Sequence, residues 1–343
     1  MRHHPSVDIL SSRSAMLTIG IAVQVHTVER ETLALCQDRG ELQRHFAAGP
    51  FSSSLRRLDG AGLIEIDSQQ HRQIADLREE MKDLRRYLCE LAGSQGQMVS
   101  GGTYPLTKGA RLKMQIRIGC PDGDLAKLLC QAWPRYLPQL IALSAASPFH
   151  AGRDTQFASF RPQGLADHDE LDPQPTDIHY DIARKLIEIR VCDTPLKLDT
   201  AVDLAAYAKE ITRYLLAEVP APRDDEAAFD YRQACFQAAQ FSFDGQLGCH
   251  DDGKTIAKDI LATLEQLREF GTGGHLDELN RIEQQVHTTA NDSQALRAYL
   301  SKDRNMTAIV ARQVLIWASA RQPDMTERTP SANENGPHEA GHF

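Results

Sequence analysis

The sequence predicts an α+β protein, and two kinds of hydrophobic periodicity lead to this prediction. Apolar and polar residues alternate in 17–25, 112–119 and 186–191, which is the period of a strand with one buried face. In 74–91, and in most of the chain after Pro195, apolar residues recur every three or four positions, which is typical of amphipathic helices. The strands therefore lie before Pro195, and helices dominate the chain after it.

The first predicted strand, 17–25, separates two kinds of side chain. Its leucine, isoleucine and valine residues fall on one face, which we expect in the core. Ala22 and Gln24 fall on the other face, which we expect to be open. A shorter alternation at 63–67 predicts a second strand, with Glu65 between its isoleucines.

Two further strands are predicted at 112–119 and 186–191. Each again has one apolar face and one polar face, because successive side chains of a strand point to opposite sides. The side chains expected on the two polar faces are Gln115, Arg117, Glu188 and Arg190.

Between these strands the sequence predicts a broken helix and two loops. The apolar residues of 125–143 have helical spacing, and Pro134 and Pro138 are expected to bend or break the helix. We predict loops at 147–161 and at 165–176, the second because it is acidic and contains prolines.

The apolar periodicity also predicts the domain organisation. A length of 343 residues allows one large domain or two. We expect one domain over 17–320, after an N-terminal extension, 1–16. The tail, 321–343, is rich in Pro, Asn, Glu and Gly without apolar periodicity, so it is predicted to be disordered.

Charge and hydropathy exclude two classes of partner. A formal net charge of -9, with no concentrated basic stretch, argues against binding to nucleic acid. No apolar run approaches the length of a membrane span, and the first 15 residues lack the apolar stretch of a secretory signal. We therefore expect a cytoplasmic protein with small-molecule or protein partners.

Two long segments carry a resemblance to a known family. They are LIALSAASPFHAGRDTQFASFRP at 140–162 and IEIRVCDTPLKLDTAVDLAA at 187–206. Shorter matches keep the same order along the chain, among them TIGIAVQV at 18–25, GLIEI at 62–66 and QIRIGC at 115–120. In these segments the chain resembles the glutamate-cysteine ligase type 2 family of ATP-dependent carboxylate-amine ligases.

The resemblance implies a curved antiparallel sheet backed by helices, as in glutamine synthetase and glutamate-cysteine ligase. The polar face of that sheet would bind ATP, Mg²⁺ and an amino-acid carboxylate. The family's reaction would phosphorylate the carboxylate, and an amine would then attack the acyl phosphate. The strand alternation agrees with such a face, because it puts polar side chains of several strands on one side.

The chain departs from the family pattern where the family holds its metals. Ala22 and Gln24 occupy the positions of a Glu-x-Glu pair in the family, and Gln115 and Arg117 occupy those of His-x-His. A guanidinium is always charged and has no free lone pair, so it cannot coordinate a metal. Each lost charge-assisted contact costs about 1.5 to 3 kcal/mol, so losing several should weaken binding of a metal-nucleotide complex by orders of magnitude.

Two residues are candidates for replacing the lost metal ligands or the charge of the metal. His26 lies on the same face as Gln24 in a regular strand and could serve as a ligand, although a lone histidine is more often structural. Arg117 could supply positive charge in place of a metal. The sequence leaves both alternatives open.

Four polar residues remain as site candidates by resemblance. Glu65 and Glu188 would be the metal ligands, and Glu188 with Arg190 would be catalytic. Arg161 and Arg190 would bind the cofactor ATP. A metal that bridges phosphates needs hard oxygen ligands, and among these four residues only the two glutamates supply them.

Plainer interpretations of the same residues stay open. Glu188 and Arg190 are neighbours on one strand face and can form an ion pair with each other. Asp154 and Thr155 can bind a ligand, or they can fix a turn through side-chain hydrogen bonds.

Two functions follow from the sequence. The first is an ATP-dependent ligase that joins a carboxylate such as glutamate to an amine such as cysteine, with impaired turnover. The second is a non-catalytic family member that binds a small anion or a protein partner, and it is favoured by the missing carboxylates. The expected small-molecule partner is an amino acid or another carboxylate, with a homodimer as an open alternative.

Overall fold

The structure is a computed structural model with a single large sheet at its centre. It describes residues 17–37, 41–58, 62–107, 112–160, 177–218, 230–247, 253–271 and 274–319. The predicted extension 1–16, the predicted tail 321–343, the predicted loop 165–176 and Arg161 lie outside the described residues.

Nine strands occur in the described part of the chain, and seven of them form the large sheet. Their bounds are β1 Thr18–Glu29, β2 Leu55–Arg57, β3 Leu63–Asp67, β4 Gln97–Ser100, β5 Lys113–Gly119, β6 Phe149–His150, β7 Arg153–Asp154, β8 Ile178–Asp181 and β9 Leu186–Asp193. The strand order in the large sheet is β2-β3-β1-β5-β9-β8, and β4 pairs with the far end of β1. All its pairs are antiparallel, as predicted, and β6 and β7 form a separate hairpin.

Ten α-helices occur in the same described ranges. Their bounds are α1 Glu41–Ala48, α2 Ile74–Ser94, α3 Gly123–Ala132, α4 Leu137–Ser144, α5 Leu198–Glu218, α6 Tyr231–Phe241, α7 Ile256–Phe270, α8 Leu276–His287, α9 Asp292–Asp303 and α10 Met306–Ala318. None of these helices combines the length and apolar composition needed to cross a bilayer.

The helix predicted at 125–143 is broken, as its prolines indicate. A 3-10 turn, Trp133–Tyr136, separates α3 from α4, and prolines lie in the first positions of both the turn and α4. Proline has no N–H to donate, so it is tolerated at the start of a helix and interrupts its interior.

The apolar face of the sheet packs against helices and forms the main core. Ile21 on β1, Ile116 on β5 and Ile189 on β9 have no exposed surface, and they belong to the same cluster as Leu204 and Tyr207 of α5. Burying one such aliphatic side chain contributes about 1.5 to 3 kcal/mol to stability. The apolar face of each strand therefore packs on the helices, and the polar face points away from them. The predicted antiparallel sheet backed by helices is confirmed.

The opposite face of the sheet is polar but not open. Gln24 is 5% exposed, Gln115 8%, Arg117 3% and Glu188 4%. The expectation of an open face was therefore wrong, because these side chains are covered by their mutual ion pairs and hydrogen bonds rather than by water.

Several short strands were missed in the sequence. The strands β2, β4 and β8 have three or four residues each, and the β6–β7 hairpin lies inside the predicted loop 147–161. Segments of that length contain too few residues to show a hydrophobic period. The first strand also continues four residues beyond its predicted end at Val25, to Glu29.

A partly buried charge cluster joins three helices behind the sheet. Arg78 on α2 donates to Asp199 at 2.7 Å and Asp203 at 3.0 Å, both on α5, and to Glu278 on α8 at 2.8 Å. Arg281 on α8 also contacts Asp203, with 2.7 Å between Nη2 and Oδ1. Such a network aligns the helices, because each charge needs its partner once it leaves water.

His275, beside this cluster, predicts a pH dependence of stability. Burial, followed by the positive charge of Lys209, lowers the pKa of His275 to about 4. Arg213 also opposes protonation, whereas Glu278 and Glu210, the latter 3.6 Å from Nε2, favour it. The folded chain therefore keeps this imidazole neutral at pH values where the unfolded chain, with a pKa of about 6.5, protonates it.

We expect the free energy of unfolding to fall as the pH falls from about 6.5 to about 4, by on the order of 3 kcal/mol from His275 alone. The sign follows because the unfolded chain binds the extra proton in this window. Urea unfolding of the wild type and of His275→Gln at a series of pH values measures this decrease in the free energy of unfolding. The variant should lose less stability over this window, and equal slopes for the two proteins would contradict the assignment.

Candidate functional site

The register of the sheet brings the predicted site residues onto one polar face. Because β3, β1, β5 and β9 are adjacent in this order, their polar side chains form rows across the strands. The rows are Arg56, Glu65 and Gln24; then Asp67, Ala22 and Gln115; then Gly20, Arg117, Glu188 and His179.

Glu65, a predicted metal ligand, is held by two neighbouring strands. Its Oε1 accepts hydrogen bonds from Nε of Arg56, at 2.9 Å, and from Nη2 of the same side chain. Its Oε2 accepts from Nε2 of Gln24 at 3.1 Å. The carboxylate is almost fully buried, so both oxygens are engaged by protein donors.

Glu188, predicted to be both catalytic and a metal ligand, lies among three guanidinium groups. Its Oε2 accepts from Nη2 of Arg190 at 2.6 Å, and its Oε1 accepts from Nη1 of Arg184 at 3.2 Å. Nε of Arg117 lies 3.7 Å from the same Oε1. The ion pair that strand spacing allowed between Glu188 and Arg190 is therefore present.

Arg117 connects both halves of the face. Its Nη1 donates to Asp67, which is two strands away, and its Nη2 donates to Oε1 of Gln115 at 3.2 Å. With Glu188 on the other side, the guanidinium spans three neighbours while its side chain is only 4% exposed.

Arg190 and His179 form the accessible edge of the face. The Arg190 side chain is 37% exposed, and its Nη2 lies 3.0 Å from Nε2 of His179. Burial, followed by the charge of Arg190, lowers the pKa of His179. The ring is thus neutral near pH 7, and its Nε2 accepts the hydrogen bond, since a guanidinium can only donate.

This donor set does not fit a divalent metal. The strands of Glu65 and Glu188 are three strand spacings apart, about 14 Å at about 4.8 Å each, and the two carboxylates accept from different arginines. Among the described residues, no three His, Cys, Asp or Glu side chains lie close enough together to hold a metal. The carboxylate oxygens that remain are bonded to arginines, which a metal would have to displace.

The sequence analysis did not identify Arg56, Arg184 or His179 as residues of this face. Arg56 lies on the three-residue strand β2, Arg184 in the β8–β9 turn and His179 on the four-residue strand β8. The alternation of Ile178 and Tyr180 with polar residues was the available signal for β8, but it is very short.

The remaining candidates take structural contacts. His26 is fully buried, with its ring 6.0 Å from that of Tyr104. Asp154 accepts from the backbone N–H of Gln156 at 2.7 Å, and Thr155 donates to the carbonyl of Pro148 at 2.9 Å. These are the side-chain bonds of a turn.

Asp193, at the end of β9, bonds the two long similarity segments to each other. Its Oδ2 accepts from the backbone N–H of Ala146 at 3.0 Å and from Oγ of Ser147 at 2.7 Å. Its own N–H donates to Oγ of Ser144 at 3.3 Å. The described residues of these segments, 140–160 and 187–206, are thus hydrogen-bonded to each other.

The fold is shared with solved ligase structures. The glutamate–cysteine ligase of Francisella tularensis, solved in complex with AMP, aligns over 89% of this chain and 89% of its own, with a TM-score of 0.61 and 12% identity. A bifunctional glutathione synthetase from Pasteurella multocida aligns over 90% of this chain and 53% of its own, with a TM-score of 0.62 and 9% identity. At these identities the likeness establishes the fold.

Sequence comparison gives relatives along nearly the whole chain. "Putative glutamate--cysteine ligase 2-1" of Legionella pneumophila (strain Corby) is 27% identical, covering 90% of this chain and 95% of the relative. "Putative glutamate--cysteine ligase 2" of Bordetella parapertussis is 28% identical, covering 93% and 90%. The sequence profile of glutamate-cysteine ligase family 2 matches residues 110–179 and 164–315, which together are more than half of the chain. The chain belongs to the glutamate-cysteine ligase family 2 (GCS2).

Proposed function

We propose that this protein is an ATP-dependent carboxylate-amine ligase of the glutamate-cysteine type with weak turnover. The observation that carries the proposal is the family match over residues 110–315, a stretch that contains β5, β8 and β9 of the polar face. An amino-acid carboxylate would be one substrate and an amine the other, in the cytoplasm. ATP would supply the phosphoryl group.

The chemistry assigned to the face is activation of a carboxylate. One oxygen of the substrate carboxylate attacks the terminal phosphorus of ATP, which releases ADP and forms an acyl phosphate. The amine then attacks the acyl carbon, loses a proton and expels phosphate, which leaves an amide. Arg190 is half-exposed at the edge of the face, so its guanidinium can bind phosphate oxygens there.

Weak turnover follows from the contacts of the two glutamates. Glu188 already accepts from Arg184 and Arg190, and Glu65 already accepts from Arg56 and Gln24. Both carboxylates are thus engaged by protein donors and are not free to hold Mg²⁺ beside the phosphates of ATP. Stabilisation of the transition state by a metal that bridges the phosphates is therefore reduced.

We expect slow ADP release when the purified protein is incubated with ATP, Mg²⁺, glutamate and a panel of amino acids. Arg190→Gln should reduce the rate by at least about tenfold, since it removes the cation assigned to the phosphate. Glu188→Ala should also lower the rate, because Arg190 loses the partner that orients it.

Circular dichroism of both variants controls for folding, and Arg153→Gln, on the exposed strand β7, is the matched control. A wild type that releases no more ADP than Glu188→Ala with every amino acid would refute the ligase assignment.

A non-catalytic role is the second candidate, and the closed ion pairs favour it. With Glu65 and Glu188 neutralised by arginines, the face can bind a small anion or a protein partner without chemistry. Calorimetry separates the two candidates. Tight binding of ATP would count strongly against the non-catalytic role, and binding of a small carboxylate in the absence of ATP binding would support it.

A further inference from the structure

We propose that Arg117 is a built-in cation of the polar face, which neutralises Asp67 and Glu188 so that this face neither needs nor binds a divalent metal. The proposal rests on the proposed function only in taking this face as the ligand-binding face. What it says about Arg117 concerns the side chains of this chain, whether or not the protein turns over a substrate.

The position of Arg117 lets one side chain serve two distant carboxylates. Asp67 is on β3 and Glu188 on β9, with β1 and β5 between them, so their backbones are about 14 Å apart. An ion shared by these two carboxylates would have to displace the Arg117 guanidinium, which contacts both. Arg117 lies on β5, contacts Glu188 on the next strand and reaches over β1 to Asp67.

The strand β1, which Arg117 crosses to reach Asp67, has small residues at the two positions in register with these side chains. Ala22 is paired with both Asp67 and Gln115, and Gly20 is paired with Arg117 itself. A Cβ at Gly20 would lie 2.5 Å from Nε2 of Gln70 and 3.1 Å from Oγ of Ser68, so residues 68–70 fill the space beside this glycine. Ala22, with its single methyl group, places no long side chain between Gln115 and Asp67.

The positive charge of a guanidinium is permanent in proteins, and the other arginines near Arg117 repel a second cation. Arg184 and Arg190 contact the same Glu188 carboxylate. A divalent ion entering here would meet three guanidinium charges, with which the carboxylates of Glu188 and Asp67 are already paired.

Mn²⁺ binding tests whether the face excludes a metal. We expect the electron paramagnetic resonance signal of free Mn²⁺ to decrease no more with the wild type than with Glu65→Gln or Glu188→Gln. We also expect the same midpoint of thermal unfolding with Mn²⁺ and with EDTA, because an ion held by the fold would raise it. An ion bound by the wild type and lost in either variant would overturn the proposal.

Replacement of Arg117 tests whether its charge is what matters. Arg117→Lys keeps a cation and Arg117→Gln does not, so the Lys variant should unfold at the higher temperature. Adding Asp67→Asn should recover part of the midpoint lost in Arg117→Gln, because the carboxylate left alone is then neutral. Equal midpoints for the Lys and Gln variants would mean that Arg117 acts by packing alone, which contradicts the proposal.

ATP binding keeps this inference separate from the proposed function. We expect calorimetry to give the same dissociation constant in EDTA and in excess Mg²⁺, within about twofold, which is about 0.4 kcal/mol. Affinity that appears only with Mg²⁺ would contradict the inference while supporting the ligase. If ATP binds in neither condition, the ligase assignment fails, and the Mn²⁺ and thermal measurements still decide the role of Arg117.

Discussion

Arg117→Met is expected to lower the free energy of unfolding by about 3 kcal/mol. Removing one partner of a buried ion pair costs about 3 to 5 kcal/mol, because the remaining charge is left without compensation. The lower end applies here, since Glu188 keeps Arg184 and Arg190, and only Asp67 loses its cation. Urea unfolding followed by circular dichroism measures the change.

Arg184→Met is the matched control, because it contacts the same carboxylate from an exposed position. Arg184 is 47% exposed, and Glu188 retains two other guanidiniums without it. The expected loss is within about 1 kcal/mol, as for other surface ion pairs. A stability gain in Arg117→Met would show that the desolvation of this arginine outweighs its contacts, contrary to the prediction.

Asp193→Ala is expected to lower the free energy of unfolding by about 2 to 6 kcal/mol. Asp193 has no exposed surface and accepts from the N–H of Ala146 and the hydroxyl of Ser147. A buried donor left without an acceptor costs about 1 to 3 kcal/mol, and the substitution leaves two of them. The turn after α4 would then lose its attachment to β9.

Two further variants distinguish the loss of these hydrogen bonds from the loss of a carboxylate charge. Asp193→Asn keeps one carbonyl oxygen as an acceptor and should recover part of the loss. Asp154→Ala removes a partly exposed carboxylate that pairs with Arg297, and should cost no more than about 1 kcal/mol. If Asp193→Ala were no more destabilising than Asp154→Ala, the hydrogen bonds between the two similarity segments would not be stabilising.

The strands and helices with a long hydrophobic period were predictable. The central parts of β1, β3, β5 and β9, the helix α2 and the break between α3 and α4 agree with the sequence, because burial of an apolar face imposes the period. The short strands β2, β4 and β8 were not predictable. Their residues adopt extended structure because neighbouring strands offer hydrogen-bond partners, and their own sequence patterns are too short to predict it.

The candidate site divides in the same way. Alternation alone placed Gln115, Arg117, Glu188 and Arg190 on the polar side of their strands, and the structure agrees. It gave no information on Arg56, which holds Glu65, because nothing in three residues of β2 identifies their partner strand. The metal roles predicted for Glu65 and Glu188 stay predictions, and the arginines around them do not favour those roles.

The sequence by itself determined the fold class, the family, the polar side of each long strand and the loss of ligand-type residues at 22, 24, 115 and 117. Only the tertiary structure decided which charges meet. A period of two fixes the face on which a side chain lies, but the register between strands fixes its neighbour. Arg117 meets residues 50 positions before it and 71 after it, so its pairing with Asp67 and Glu188 exists only once β3, β1, β5 and β9 are side by side.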